Sequence, residues 1–437
     1  MTMNNPHLRI LRNKQKELFK SMADYKEKGS ARWLKEDVDS LETIIQKFDL
    51  IGDSINMAIK EADFRIGDNL SKGSDLIESS RKWNQTLVNY HFINNSLMVF
   101  ILNRGQLEHL VIELPSDFDE RIAQFKTMLQ AENQSYYSLQ DIHVYEKVAT
   151  DIYSHLFQPI EPILKGHDIL ILPDKNLCGL PFSCLVDLDS KKSELRRFRD
   201  LSFLLNKYNI QYWMGTADNN SRKASKLKSP VFISCPKTDF DKALFGEKSL
   251  IKIFKSSDLI SFDHQNQAIH IASHFYLDDT NPLKSGLVCA GDFDKPYLNL
   301  EDILAYDFHN SKVFMNGCNT GKGEYNSGEG AMSLGLVFGI AGTRDVITHL
   351  WQAEDNISAH LALNFYQKGI PGDYPGKLHK TKKRYLQTCE SGYDHPHYWA
   401  GVVCASKPQH RQTPIYLYLI LIVSIGAFVL YLYIRSQ

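Results

Sequence analysis

Apolar and polar positions change their spacing twice along the chain, and each change marks a new kind of element. Residues 7–82 are polar with apolar residues three or four apart: Ile10, Leu11, Leu18, Phe19 and Met22 fall on one side of a helix. The stretch SLETIIQKFDLIGDSINMAIKEA continues in the same style. No 34-residue self-similarity is evident, so residues 1–82 are either a helical lead-in packed on the next domain or a remnant of about two helical-repeat units.

Near Lys82 the spacing shortens. TLVNYHF, SLMVFILN and LEHLVIEL are runs of β-branched, aliphatic and aromatic residues parted by INN and NRGQ, the pattern of an antiparallel meander. Helical stretches are expected at about 116–133 and 137–157, then strands at DILILPD (168–174) and FSCLVDL (182–188). From about Pro230 strands and helices alternate. PVFISC (230–235), QAIHIAS (267–273), GLVCAG (286–291), KVFMNGC (312–318) and RDVITHLW (344–351) read as strands. Helices are expected at roughly 241–256, 329–341 and 354–368. Such alternation predicts an α/β fold, a mainly parallel sheet flanked by helices, with chemistry beyond the carboxyl ends of the strands. The expected division is 1–82, 83–225, 226–406 and a last segment at 414–434.

That last segment, PIYLYLILIVSIGAFVLYLYI, has 21 residues and no charge. A helix of that length matches the roughly 30 Å hydrocarbon core, and tyrosines lie towards both ends. The expectation is one C-terminal transmembrane helix, with the membrane as a partner. Lys407 and Arg411 precede the segment and only Arg435 comes after it, which predicts a cytoplasmic main body.

Composition narrows the functions. Lys plus Arg total 50 against 51 Asp plus Glu, so no general attraction to nucleic acid is expected. Seven cysteines without zinc-type spacing, after a charged amino terminus, predict free thiols, with no metal and no cofactor.

Two strands run into reactive residues. QAIHIAS leads to His274, and KVFMN leads through Gly317 to Cys318. An imidazole beside a thiol takes its proton on attack and returns it to the leaving amine. NTGKGEYNSGEG after Cys318 has four glycines, leaving room for an extended substrate and exposing amides to an oxyanion. Taken one at a time, each residue also reads as ordinary packing at a strand end.

AIHIASHF, NGCNTGKGEYNSGEGAMSLGLVFGIAGTRDVITHLWQAEDNISAHLALNFY and HPHYWAGVV together resemble the CHAT domain, the caspase-like domain associated with tetratricopeptide repeats. ILILPDKNLCGLPFSCLVD and LVNYHFINNSLMVFILNRG extend the resemblance over roughly 85–405. It implies a caspase–haemoglobinase fold and a cysteine endopeptidase of a bacterial system, switched on by an activating partner to cut a specific protein substrate. His274 matches the family's catalytic histidine, Cys318 its nucleophile, and His270 an earlier strand position with a structural role. By analogy with caspases the backbone amides of Phe275 and Cys318 would hold the oxyanion, although caspases have glycine where Phe275 stands. HLWQAED resembles an element of the related separases, so Asp355 with Glu354 would line an acidic pocket for Arg or Lys. Those two acids equally suit the first turn of the helix expected there. The alternative function is a catalytically idle scaffold that assembles partners at the membrane. HPHYWA reads as structural, with Trp399 packed under the last strand.

Overall fold

The computed structural model describes residues 73–409, apart from 94, 131–135, 188–196, 215–226, 228–230, 235–249, 253–264, 273, 277–285, 289–297, 300–301, 304–305, 317–324, 327–329, 332–333, 352–354, 368 and 370–371. It opens with α1 (Gly73–Ser80), then β1 (Thr86–Ile93), β2 (Ser96–Asn103) and β3 (Gln106–Glu113). These three strands are the expected meander. The β2–β3 turn places Arg104 at φ 49° and Gly105 at φ 83°, the left-handed pair that matches the twist of a two-residue hairpin.

Helices α2 (Phe118–Gln130) and α3 (Leu139–Leu156) follow where the periodicity puts them. Ser138 caps α3: its hydroxyl accepts from the Asp141 amide while the Asp141 carboxylate accepts from the Ser138 amide. Next come β4 (Asp168–Leu172), β5 (Asn209–Trp213), β6 (Val231–Ser234), β7 (Leu250–Lys252) and β8 (Ala268–Ala272). β9 (His274–Tyr276), β10 (Gly286–Val288) and β11 (Leu298–Asn299) make a small antiparallel sheet of their own. β12 (Lys312–Asn316) is followed by the paired β13 (Tyr325–Asn326) and β14 (Gly330–Ala331). The described chain closes with α4 (Leu334–Ile340), β15 (Asp345–His349), α5 (Asp355–Tyr366), α6 (Tyr374–Thr388), α7 (Pro396–Trp399) and β16 (Val402–Ser406).

The main sheet runs β3-β2-β1-β4-β5-β16-β15-β12-β8-β6-β7. It is mixed, with seven of its ten strand pairings parallel, as the alternation predicts. The meander is antiparallel, and β16 enters between β5 and β15, parallel to the first and antiparallel to the second. Strands β8 and β12 are buried along their whole length apart from the half-buried Asn316, as both-face coverage requires.

Three local expectations change. FSCLVDL is a short 3₁₀ turn at Phe182–Cys184 with one bridge from Val186 to Phe203, because the Phe182 amide donates to the Tyr212 hydroxyl instead of to a neighbouring strand. Within the helix expected at 241–256, Leu250–Lys252 instead pair in parallel with β6. Gly286–Val288 of GLVCAG form β10, which pairs with β9 and β11 rather than with the main sheet and lies so close on β11 that a Cβ on Gly286 would meet the Leu298 carbonyl oxygen at 2.2 Å.

The membrane expectation is corrected. Among the described residues no helix is long and apolar enough to cross a membrane. The 18-residue α3 has nearly the length, but Asp141, Glu146, Lys147 and Asp151 line it. Residues 414–434 lie outside the described residues, as do residues 1–72 of the expected helical lead-in. The anchored, single-pass cytoplasmic topology and the membrane as a partner are therefore withdrawn.

The last described residue lies beside the start of β1. The Asn84 amide donates to the Gln409 carbonyl at 2.9 Å, and the Gln409 amide donates to the Gln85 side-chain oxygen at 2.8 Å.

Candidate active site

The ends of β8 and β12 define the candidate site. These strands are neighbours, parallel and in register, from Lys312 opposite Ala268 to Asn316 opposite Ala272. In sequence, His274 is two residues beyond Ala272 and Cys318 two beyond Asn316. The backbone of His274 opens β9 opposite Val288, and Phe275 lies opposite Leu287. Cys318 and Glu354 lie outside the described residues; Asp355 is the first residue of α5. Beneath these positions the described side chains form the floor of the site.

Two histidines and a tryptophan are buried there. His270 on β8 is buried, its Nδ1 3.4 Å from the Tyr366 hydroxyl of α5 and its ring against Phe314. His349 at the end of β15 is buried too. Burial first, then the charges of Lys382 and His270, lowers its pKa to about 4. Trp351 donates its indole N–H to the His397 carbonyl at 2.9 Å and lies flat against Gly401, where a Cβ would meet the ring at 2.6 Å. Only glycine permits that approach, so the first turn after β15 is held from two sides.

The residues that follow β8 and β12 belong to a segment with known counterparts. Residues 243–407 match the CHAT domain. That match supports membership in the caspase-like peptidase clan. No curated protein matches the chain. Two crystal structures of the Saccharomyces cerevisiae separase–securin complex, at 2.6 and 3.0 Å resolution, are similar to it with a TM-score of 0.46 each, at 12% and 11% identity. The similarity covers 86% of this chain and 34% of each of those, so the chain spans about a third of their length.

Within the CHAT-matched segment the structure adds ionisable groups that sequence reasoning missed. Lys312 at the start of β12 and Asp345 at the start of β15 form a buried ion pair, with the ammonium 5.3 Å from the centre of the Tyr374 ring. Lys382 on α6 is 4% exposed. Its ammonium faces the Ala400 carbonyl and the Trp399 ring, and burial lowers its pKa to about 7 while the Cys184 and Cys404 thiols act weakly the other way. The signal was present: Leu378, Thr381, Lys382 and Tyr385 recur three and four apart after the Asp373 cap, so the lysine falls on the buried stripe of α6. His395 and His397 behave as the HPHYWA reading expects. His395 Nδ1 accepts from the His397 amide, burial lowers its pKa to about 3, and Trp399 is fully buried.

Proposed function

We propose that this chain is a cysteine endopeptidase in which Cys318 is the nucleophile and His274 the general base and acid. The observation that carries the reading is the register of β8 with β12. Both candidate residues follow the last paired positions by the same two-residue step, at strand ends about 4.8 Å apart. Match to the CHAT domain over 243–407 supports the same assignment.

In this reading His274 takes the Cys318 thiol proton as sulfur adds to the scissile carbonyl. The C–N bond then breaks, the amine leaves with that proton, and an acyl thioester remains on Cys318. Water, deprotonated by His274, hydrolyses the thioester and restores the thiol. The amides of Phe275 and Cys318 would hold the oxyanion, and Asp355 with Glu354 would receive a basic P1 side chain.

The test is covalent labelling of the full chain with an electrophilic peptide bearing arginine at P1, comparing wild type, Cys318→Ala and His274→Ala. Labelling that falls by at least about 10³-fold in each variant is expected. Labelling that survives Cys318→Ala would overturn the assignment, and a folded wild type inert to probes of every P1 type would point to a missing activator or an idle scaffold.

A further inference from the structure

The two faces of the β1–β2–β3 meander are treated unequally. One face carries Val88, Tyr90, Leu97, Val99 and Ile101, all buried in the main core. On the other, the register stacks Leu87–Leu102–Leu107, Asn89–Phe100–His109, His91–Met98–Val111 and Ile93–Ser96–Glu113 in rows. Leu87 and Leu102 are buried there, with Leu76 and Ile77 of α1 packed against them. The rest of the face is open: Leu107 is 50% exposed, Val111 54% and Ile93 48%, while Met98 and Phe100 are half-buried. An apolar surface begun by one helix and left uncovered beside it is a docking face.

Where the chain enters says what covers it. Helix α1 is tied to the β2–β3 turn by the Gly105 amide, which donates to the Ser80 hydroxyl at 2.8 Å, and the Arg81 side chain packs over Gly105. The described chain therefore begins with a helix that lies against this face. In residues 40–62 seven apolar positions, Leu41, Ile44, Ile45, Phe48, Ile51, Ile55 and Ile59, share one helical stripe, with only Leu50 and Met57 among the large apolar residues opposite it. Glu42, Gln46, Lys47, Asp49, Asp53, Asn56 and Lys60 fall on the other. The ten residues 63–72 reach up to about 33 Å when extended, enough for a helix to turn back over β1–β3.

We propose that residues 40–62 dock as an amphipathic helix on the open face of β1–β3, extending the cover that α1 begins. A stripe that is mostly one-sided suits a face whose outer side meets water. Residues 414–434, uncharged and apolar on every side of a helix, would bury one side there and expose the other.

The experiment places the photo-crosslinking residue benzoylphenylalanine at Val111 of the full chain, with a control at Val144, which is 42% exposed on α3 across the sheet. Linked peptides are mapped by mass spectrometry after digestion. Links from position 111 to residues 40–62 are expected, with none from 144. Ile44→Asp with Ile51→Asp should cut their yield by about tenfold or more, because a carboxylate resists burial against the sheet. Links to 414–434, links between two copies, or no link from 111 above the control would overturn the proposal. The probe replaces an exposed side chain, so the outcome does not hinge on refolding.

Discussion

Beneath the meander and its helices the buried hydroxyls are neutral, with the charged pairs Asp187–Lys207 and Asp394–Arg199 beside them; beneath the candidate site ionisable groups are gathered more densely. In the first region Tyr90 donates its hydroxyl to the Leu156 carbonyl, and Tyr145 donates to the Cys184 carbonyl at 3.0 Å. Burial pushes both phenols well above their ordinary range, so they stay uncharged. In the second region, β12, β15 and β16 with α5 and α6 enclose Lys312, Asp345, His270, His349 and Lys382. A neutral hydroxyl on a carbonyl leaves little to lose. A buried charge is costly when its partner goes and sensitive to protons when it has no strong partner. The comparison teaches that the region carrying the candidate chemistry holds more buried ionisable groups, and so has more to lose when one partner is removed.

The sharpest way to break that contrast is Asp345→Ala. It strands the Lys312 ammonium in the sheet and should cost about 3–5 kcal/mol by urea unfolding, against near neutrality for the paired Lys312→Met, Asp345→Leu replacement. Equal losses for single and double variants would show that the charges are not what matters there.

Lys382→Met should act in the opposite direction. The folded protein holds Lys382 near pKa 7 and the unfolded chain near 10.5, so the unfolded state binds more protons between those values. The Lys382 contribution to stability therefore rises as pH goes from 7 to 10.5, and below about 7 its full penalty remains. The methionine variant should be more stable at pH 7 by on the order of 3 kcal/mol and lose that rise. An unchanged pH profile would mean that the amine finds water or a partner anion on protonation.

Tyr145→Phe marks the quiet end of the scale. It keeps the ring that packs on Phe125 and Phe198 and removes only the hydroxyl, so the expected cost is about 1 kcal/mol, the same from pH 5 to 9. A loss as large as that for Asp345→Ala would erase the distinction between the two regions.

Periodicity made much of this fold legible. QAIHIAS and KVFMNGC read as neighbouring strands leading to His274 and Cys318, and β8 and β12 pair in matching register. What escaped had little period to read. β7 is three residues long, too short to show alternation inside an expected helix. Lys312 and Asp345 look like polar strand starts in sequence; only parallel pairing sets them side by side. Lys382 sits among Lys377, Lys380 and Lys383, and its charge hides a position that spacing assigns to the interior. The side chains of His274, Phe275, Cys318, Glu354 and Asp355 remain a reading of sequence and register.

The clasp between Asn84 and Gln409 makes the described fold nearly a closed ring in connectivity. A short linker would join those two positions with little strain, so circular permutants opened in a surface loop should keep the sheet order. Since β1 is five strand positions from β12, the junction is roughly 24 Å across the sheet from the candidate site at about 4.8 Å per strand. A fusion or tether attached there would leave the approach to the strand ends free.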